Sequence, residues 1–114
     1  MTTDEMKANI QNGIAWLEEN NDNDWRQIIR AAIESGDFDM GKCHRCVFGH
    51  IEGDYYEALE VLDMSDTEAR ELGFALDPND FIPAIGIKFD YDGYVNLYKE
   101  EYAKLTQLWI EALS

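Results

Sequence analysis

From residue 4 to residue 74 apolar side chains return every three or four positions, with only short polar breaks between the runs. That spacing is the period of a helix with one buried face, and it restricts the chain to a mainly helical architecture. The first run predicts a helix from Asp4 to Glu19, capped by Thr2 or Thr3, with Met6, Ile10, Ile14 and Leu17 on one face. Asn20 to Asp24 is a polar break. A second helix is expected from Trp25 to Glu34, with a stripe of Ile28, Ile29, Ala32 and Ile33, ended by Ser35-Gly36-Asp37.

Beyond it, Cys43 to Ile51 reads as a third helical segment that sets Cys43, Cys46, Val47, His50 and Ile51 on one face. Gly53 breaks it, and Tyr55 to Leu62 follows with Tyr55, Leu59 and Leu62 inward. The next element carries both its start and its stop in the sequence. Ser65 and Glu68 form a capping box, Met64 staples the entry, and Ala69 and Leu72 make the apolar face. Gly73 suits the left-handed position after the last turn, with Phe74 folding back onto the helix.

The helical period then lapses. Asp77 to Pro83 reads as a loop with prolines at 78 and 83. Ile85, Ile87 and Phe89 alternate with Gly86, Lys88 and Asp90, so a short β element is expected near residues 84–91, closed by a turn at Asp92-Gly93. A last helix is predicted from Tyr94 to Leu113. It turns Tyr98, Tyr102, Leu105 and Trp109 to the core and leaves Tyr91, Tyr94 and Ile110 as aromatic and apolar surface anchors. No linker or repeat divides residues 1–114, which read as one compact acidic domain.

Charge separates the function classes. Twenty-four Asp and Glu against nine Lys and Arg leave a formal net charge of -15 at pH 7. Such a field repels phosphate backbones and anionic membranes and favours basic protein surfaces, including those that hold nucleic acid. Charge of this size also suits disordered chains, but 12% aromatic residues argue for a packed core. No run of apolar residues is long enough for a membrane span, and Met1 to Glu5 lacks the basic start of a signal peptide. The expected place is the cytoplasm, with both cysteines reduced.

The chemistry-bearing residues are few. Cys43, His44, Cys46 and His50 are types that bind zinc, and positions i, i+3 and i+7 converge on a helix. A structural zinc takes four ligands, and no second Cys or His pair supplies the rest without a carboxylate such as Glu52 or Asp54. The same Cys-x-x-Cys lacks the βαβ setting of a redox motif. There is no phosphate-binding glycine loop, and Asp90-Tyr91-Asp92-Gly93 lacks the spacing and the closing Glu of a calcium loop. No cofactor, no metal and no enzymatic activity are therefore expected. A more informative set is Glu52, Asp54, Glu57, Glu60, Asp63, Asp66, Glu68, Glu71, Asp77 and Asp80, which face a single cation, Arg70. On one surface they would imitate a row of phosphates; dispersed, they only keep the protein soluble.

Asn12-Gly13-Ile14-Ala15-Trp16-Leu17, Cys46-Val47-Phe48-Gly49-His50 with Gly53-Asp54-Tyr55, Ala69 to Phe74, and Tyr102, Leu105 and Trp109 occur in that order. Together they resemble small acidic accessory proteins of actinobacterial phages and prophages, across nearly the whole chain. This sequence departs from that pattern at Phe48 and His50, where Leu and Gln are expected. The resemblance transfers no activity and no site residue. It implies a phage-encoded protein that acts inside a bacterial host cell. The function expected is binding to a host protein, in the sense of an inhibitor of a nucleic-acid-handling or defence complex acting by DNA mimicry. The alternative is a structural or self-associating phage protein that uses its last helix.

Overall fold

Six helices make up most of the described residues. The computed structural model describes residues 2–20, 24–76 and 91–114, with the side chains of the last segment described from residue 100. The helices are α1 (Thr3–Asn20), α2 (Trp25–Ser35), α3 (Val47–Glu52), α4 (Tyr55–Val61), α5 (Asp66–Glu71) and α6 (Tyr91–Leu113). No strand occurs among the described residues. The expected β element lies outside them apart from Tyr91, which is helical. Asp92-Gly93 does not turn the chain but lies in the first turn of α6. An acidic residue is favoured there by the helix dipole, and a glycine costs less at a frayed end than in the interior.

Local chemistry sets the helix ends. Thr2 Oγ1 accepts from the Glu5 N–H at 3.2 Å and caps α1. Helix α2 ends where the Gly36 and Asp37 amides turn back to the carbonyls of Ile33 and Ala32, at 3.1 and 2.9 Å. Ser65 Oγ accepts from the Glu68 N–H at 3.2 Å, which is one half of the expected capping box. After α5, the Phe74 N–H returns to the Ala69 carbonyl at 2.9 Å while Gly73 sits at φ 76°. A residue with a Cβ resists that conformation by about 1–2 kcal/mol.

The core is aromatic at its centre. Phe74 lies 4.2 Å from Phe48, 5.7 Å from Trp109 in a stacked arrangement and 6.1 Å from Trp16 edge to face (ring centroids). Such ring pairs contribute about 0.5–1.5 kcal/mol each beyond the area they bury. Around them pack Met6, Ile10, Leu17, Ile29, Val47 and Leu105, all 1% exposed or less. Helix α1 packs on α5 and α6, α2 on α3 and α6, and α3 on α4.

Two close approaches lock this arrangement. The backbone of the 72–74 turn lies directly on α1. A Cβ at Gly13 would overlap the Leu72 carbonyl oxygen, and one at Gly73 would come within 2.9 Å of the Ile10 nitrogen. From the other side, Trp109 Nε1–H donates to the Gly73 carbonyl at 2.8 Å. That carbonyl is buried, so the indole is its replacement for water.

Periodicity misassigned some faces. Ile28 is 37% exposed and Trp25 takes its place in the α2 stripe. Gly13 is buried, whereas Ile14 is half-buried. Ile110 packs partly against the core and is not a surface anchor. Tyr102, Leu105 and Trp109 face inward as expected, while the Tyr98 side chain lies outside the described residues.

Gly13→Ala is expected to cost about 3 kcal/mol or more, because both clashing groups are backbone and cannot rotate away. Trp109→Phe is expected to cost about 2–3 kcal/mol, mainly from the orphaned Gly73 carbonyl. Thermal denaturation checks both, with melting temperatures lowered by roughly 10 °C or more.

Candidate functional site

The zinc-like residues are not on one helical face. Residues 40–46 form successive turns, closed by Lys42 N–H to Asp39 O at 3.2 Å and Cys46 N–H to Lys42 O at 3.0 Å. Helix α3 therefore begins only at Val47, with Cys46 as its N-cap. Cys43 is exposed and Cys46 is buried, so the expected i, i+3 and i+7 convergence does not form. Cys46 Sγ accepts the Gly49 N–H at 3.4 Å, a capping role normally filled by a Ser or Asp oxygen. Burial pushes its thiol up to about 11, opposed by the Gly49 N–H, so it remains protonated at neutral pH. A protonated thiol is a poor nucleophile.

Both histidines are committed to backbone carbonyls. His50 Nε2 lies 2.7 Å from the Asp37 carbonyl, and its ring stacks near Phe38 at 6.5 Å. His44 Nδ1 lies 3.0 Å from the Gly53 carbonyl. A carbonyl only accepts, so each of these nitrogens carries the proton. The rings thus fasten the 37–46 segment to α3 and its end. No group of three His, Cys, Asp or Glu side chains capable of holding a metal occurs among the described residues.

The acidic residues occupy α3 to α5 and the turns between. Glu52 ends α3 and Asp54 is the N-cap of α4; both are half-buried. Asp54 lies 4.0 Å from His44 Nδ1. Glu57, Glu60, Asp63, Asp66, Glu68 and Glu71 are exposed. Asp66 accepts from the Tyr55 hydroxyl at 3.2 Å, which ties the start of α5 to the start of α4. Burial, with Asp66 next to it, pushes the Tyr55 phenol up. Asp77 and Asp80 lie outside the described residues, as do the side chains of Tyr91 and Tyr94.

Three of the arginines are engaged elsewhere, and Arg70 of α5 is not without a partner. Arg26 pairs with Glu18 at 2.7 Å, Arg45 with Asp37 at 3.1 Å, and Arg30 donates to the Leu113 carbonyl at 3.4 Å. Among the described residues, no salt bridge involves Glu57, Glu60, Asp63, Glu68 or Glu71. Like charges gathered without a salt bridge repel one another, and an approaching cation relieves that repulsion.

Two details of this region escaped the sequence reading. Tyr56 is 62% exposed and Val61 71%, the largest exposures of big apolar side chains among the described residues. The signal was present: with Tyr55, Leu59 and Leu62 inward, Tyr56 and Val61 fall off the stripe. Asp63 is the other, the one non-glycine residue at positive φ (51°) among those described. It occupies the left-handed position after α4, where the Met64 N–H returns to the Leu59 carbonyl at 2.9 Å.

No helix among the described residues is long and apolar enough to cross a membrane. No family model, no curated protein and no solved structure matches the chain.

The Cys46 thiol also predicts how stability changes with pH. Unfolding releases it to the ordinary thiol value of 9.0, below its folded value of about 11. Above pH 9.0 the unfolded chain therefore binds fewer protons than the folded one, and stability falls as pH rises towards 11. The full loss from this group is about 2–3 kcal/mol. Denaturant titrations at neutral pH and across that window check it. Cys46→Ser, which keeps an N-cap acceptor, is expected to remove the part of the decline that begins at pH 9.0 and to leave the part above pH 10.0 that the raised Tyr55 phenol contributes.

Proposed function

We propose that the chain is a phage-encoded binding protein that acts on a protein of its bacterial host. Its target is the basic surface with which a nucleic-acid-handling or defence complex holds nucleic acid, and binding inhibits that complex. The observation that supports this most directly is the set of exposed carboxylates at residues 57–71 without a salt bridge, while arginines elsewhere in the chain are paired. Carboxylates spaced along short helices offer a basic groove what a phosphate row offers: negative charge and acceptor oxygens. The net charge of -15 steers the approach over distances beyond contact and keeps the protein off nucleic acid and anionic membranes.

Asp63 bears on the same reading. Glycine is the residue best suited to its backbone conformation, and the chain holds a carboxylate there instead. A local cost in folding accepted at a charged surface position is the pattern of a residue kept for what it contacts.

The test begins with the tagged protein in an actinobacterial lysate, washed at low and at high salt. A discrete partner that elutes at high salt supports electrostatic recognition. With that partner in hand, Glu57→Lys, Glu60→Lys and Glu68→Lys together are expected to weaken binding at least a hundredfold at low salt. Unchanged affinity with no salt dependence would falsify the electrostatic reading. Asp63→Gly separates folding from function: the variant gains about 0.5–1 kcal/mol in stability by denaturation and binds more weakly.

A further inference from the structure

Charge alone does not describe the outer face of α4. Its residues Tyr56, Glu57, Glu60 and Val61 are all exposed. At about 100° per residue they follow one another around the helix in the order Tyr56, Glu60, Glu57, Val61, within roughly 7.5 Å of its length. Two carboxylates therefore stand between two apolar side chains on a face directed away from α3. A surface serving only solubility has no use for a tyrosine and a valine this exposed on one short helix, and both oppose solubility.

Resting on the reading above, we propose that this face docks a basic amphipathic protein segment: a helix whose Lys or Arg side chains meet Glu57 and Glu60 while flanking aliphatic side chains pack on Tyr56 and Val61. Charge complementarity selects this occupant. A second copy would set Glu57 and Glu60 against like charges, in a protein that already carries -15. Nucleic acid and anionic membranes are repelled for the same reason. The face is well fixed for docking, since the Tyr55 hydroxyl bonded to Asp66 and the ring contact of Tyr55 with Phe48 at 6.3 Å hold the start of α4 to α5 and to the core. Tyr56 packs edge to face on Tyr55 at 5.3 Å, so its ring is partly ordered before a partner arrives. Such ordering lowers the entropy lost on binding.

The test uses two synthetic helical peptides of equal length and positive charge, one with leucines beside its arginines and the other with serines in their place. Affinities for the full chain are measured by fluorescence anisotropy at low and at high salt. The wild-type protein is expected to prefer the leucine peptide about tenfold, a preference that persists at high salt because it comes from apolar burial. Tyr56→Ser with Val61→Ser, both at exposed positions, is expected to reduce that preference to less than about twofold, with the melting temperature lowered only by the few degrees that loss of the Tyr55 ring contact costs. Equal binding of the two peptides by the wild type overturns the proposal and leaves the electrostatic reading standing. A leucine preference that survives the double substitution also overturns it, because the apolar contact is then elsewhere. Binding of neither peptide overturns both. Light scattering that shows a wild-type dimer lost in the double variant makes a second copy the occupant and overturns the proposal as well.

Discussion

The arrangement depends on one place where backbone touches backbone. Gly13 of α1 and Gly73 after α5 let the 72–74 turn lie against the first helix, with no side chain between. Contact this close brings a buried carbonyl with it, and the Trp109 indole from α6 satisfies that carbonyl. Three elements far apart in sequence thus meet through one polar bond and two missing methyl groups. Phe74 follows Gly73 directly, so the same turn that makes the contact inserts the central ring among Trp16, Phe48 and Trp109. Were the turn displaced, the ring cluster would lose its middle member, and with it the link between α1, α3 and α6.

The short glycine and aromatic motifs of the sequence gather at this point. Gly13 and Trp16, Phe48 and Gly49, Gly73 and Phe74, and Trp109 are core and close-packing residues, distinct from the exposed carboxylates of α4 and α5. Gly49 shows the same economy of space, since a Cβ there would meet the Cys43 carbonyl oxygen at 2.7 Å. These short motifs are therefore marks of a fold. They say nothing of what the fold binds, which is why function has to be read from the surface.

Legibility in the sequence followed the range of the physics. The end of α5 was readable because the capping serine, the left-handed glycine and the phenylalanine that folds back act within a few residues of one another. The 43–46 segment was misread because helical spacing alone does not report where a helix starts. A cysteine sulfur serving as N-cap gives no recognisable signal, and the turns before it are held by contacts such as Met40 N–H to Thr106 Oγ1, across 66 positions of sequence. The acidic residues could be counted in advance. Their exposure and their want of cationic partners could not, because both depend on which way each helix faces and on where the arginines are spent. Tyr56 and Val61 were legible in principle as apolar residues outside the inward stripe.

The separation of the outer face of α4 from the Gly13–Gly73 junction bears on how such a protein changes over generations. Helix α4 meets the rest mainly through α3, and its outer side chains take no part in the ring cluster. Substitutions on that face leave folding almost untouched, whereas those at the junction are filtered by stability alone. The chemistry of that surface can then drift quickly on an unchanging scaffold. A few exposed residues of α4 can be exchanged over generations while the architecture that presents them is kept.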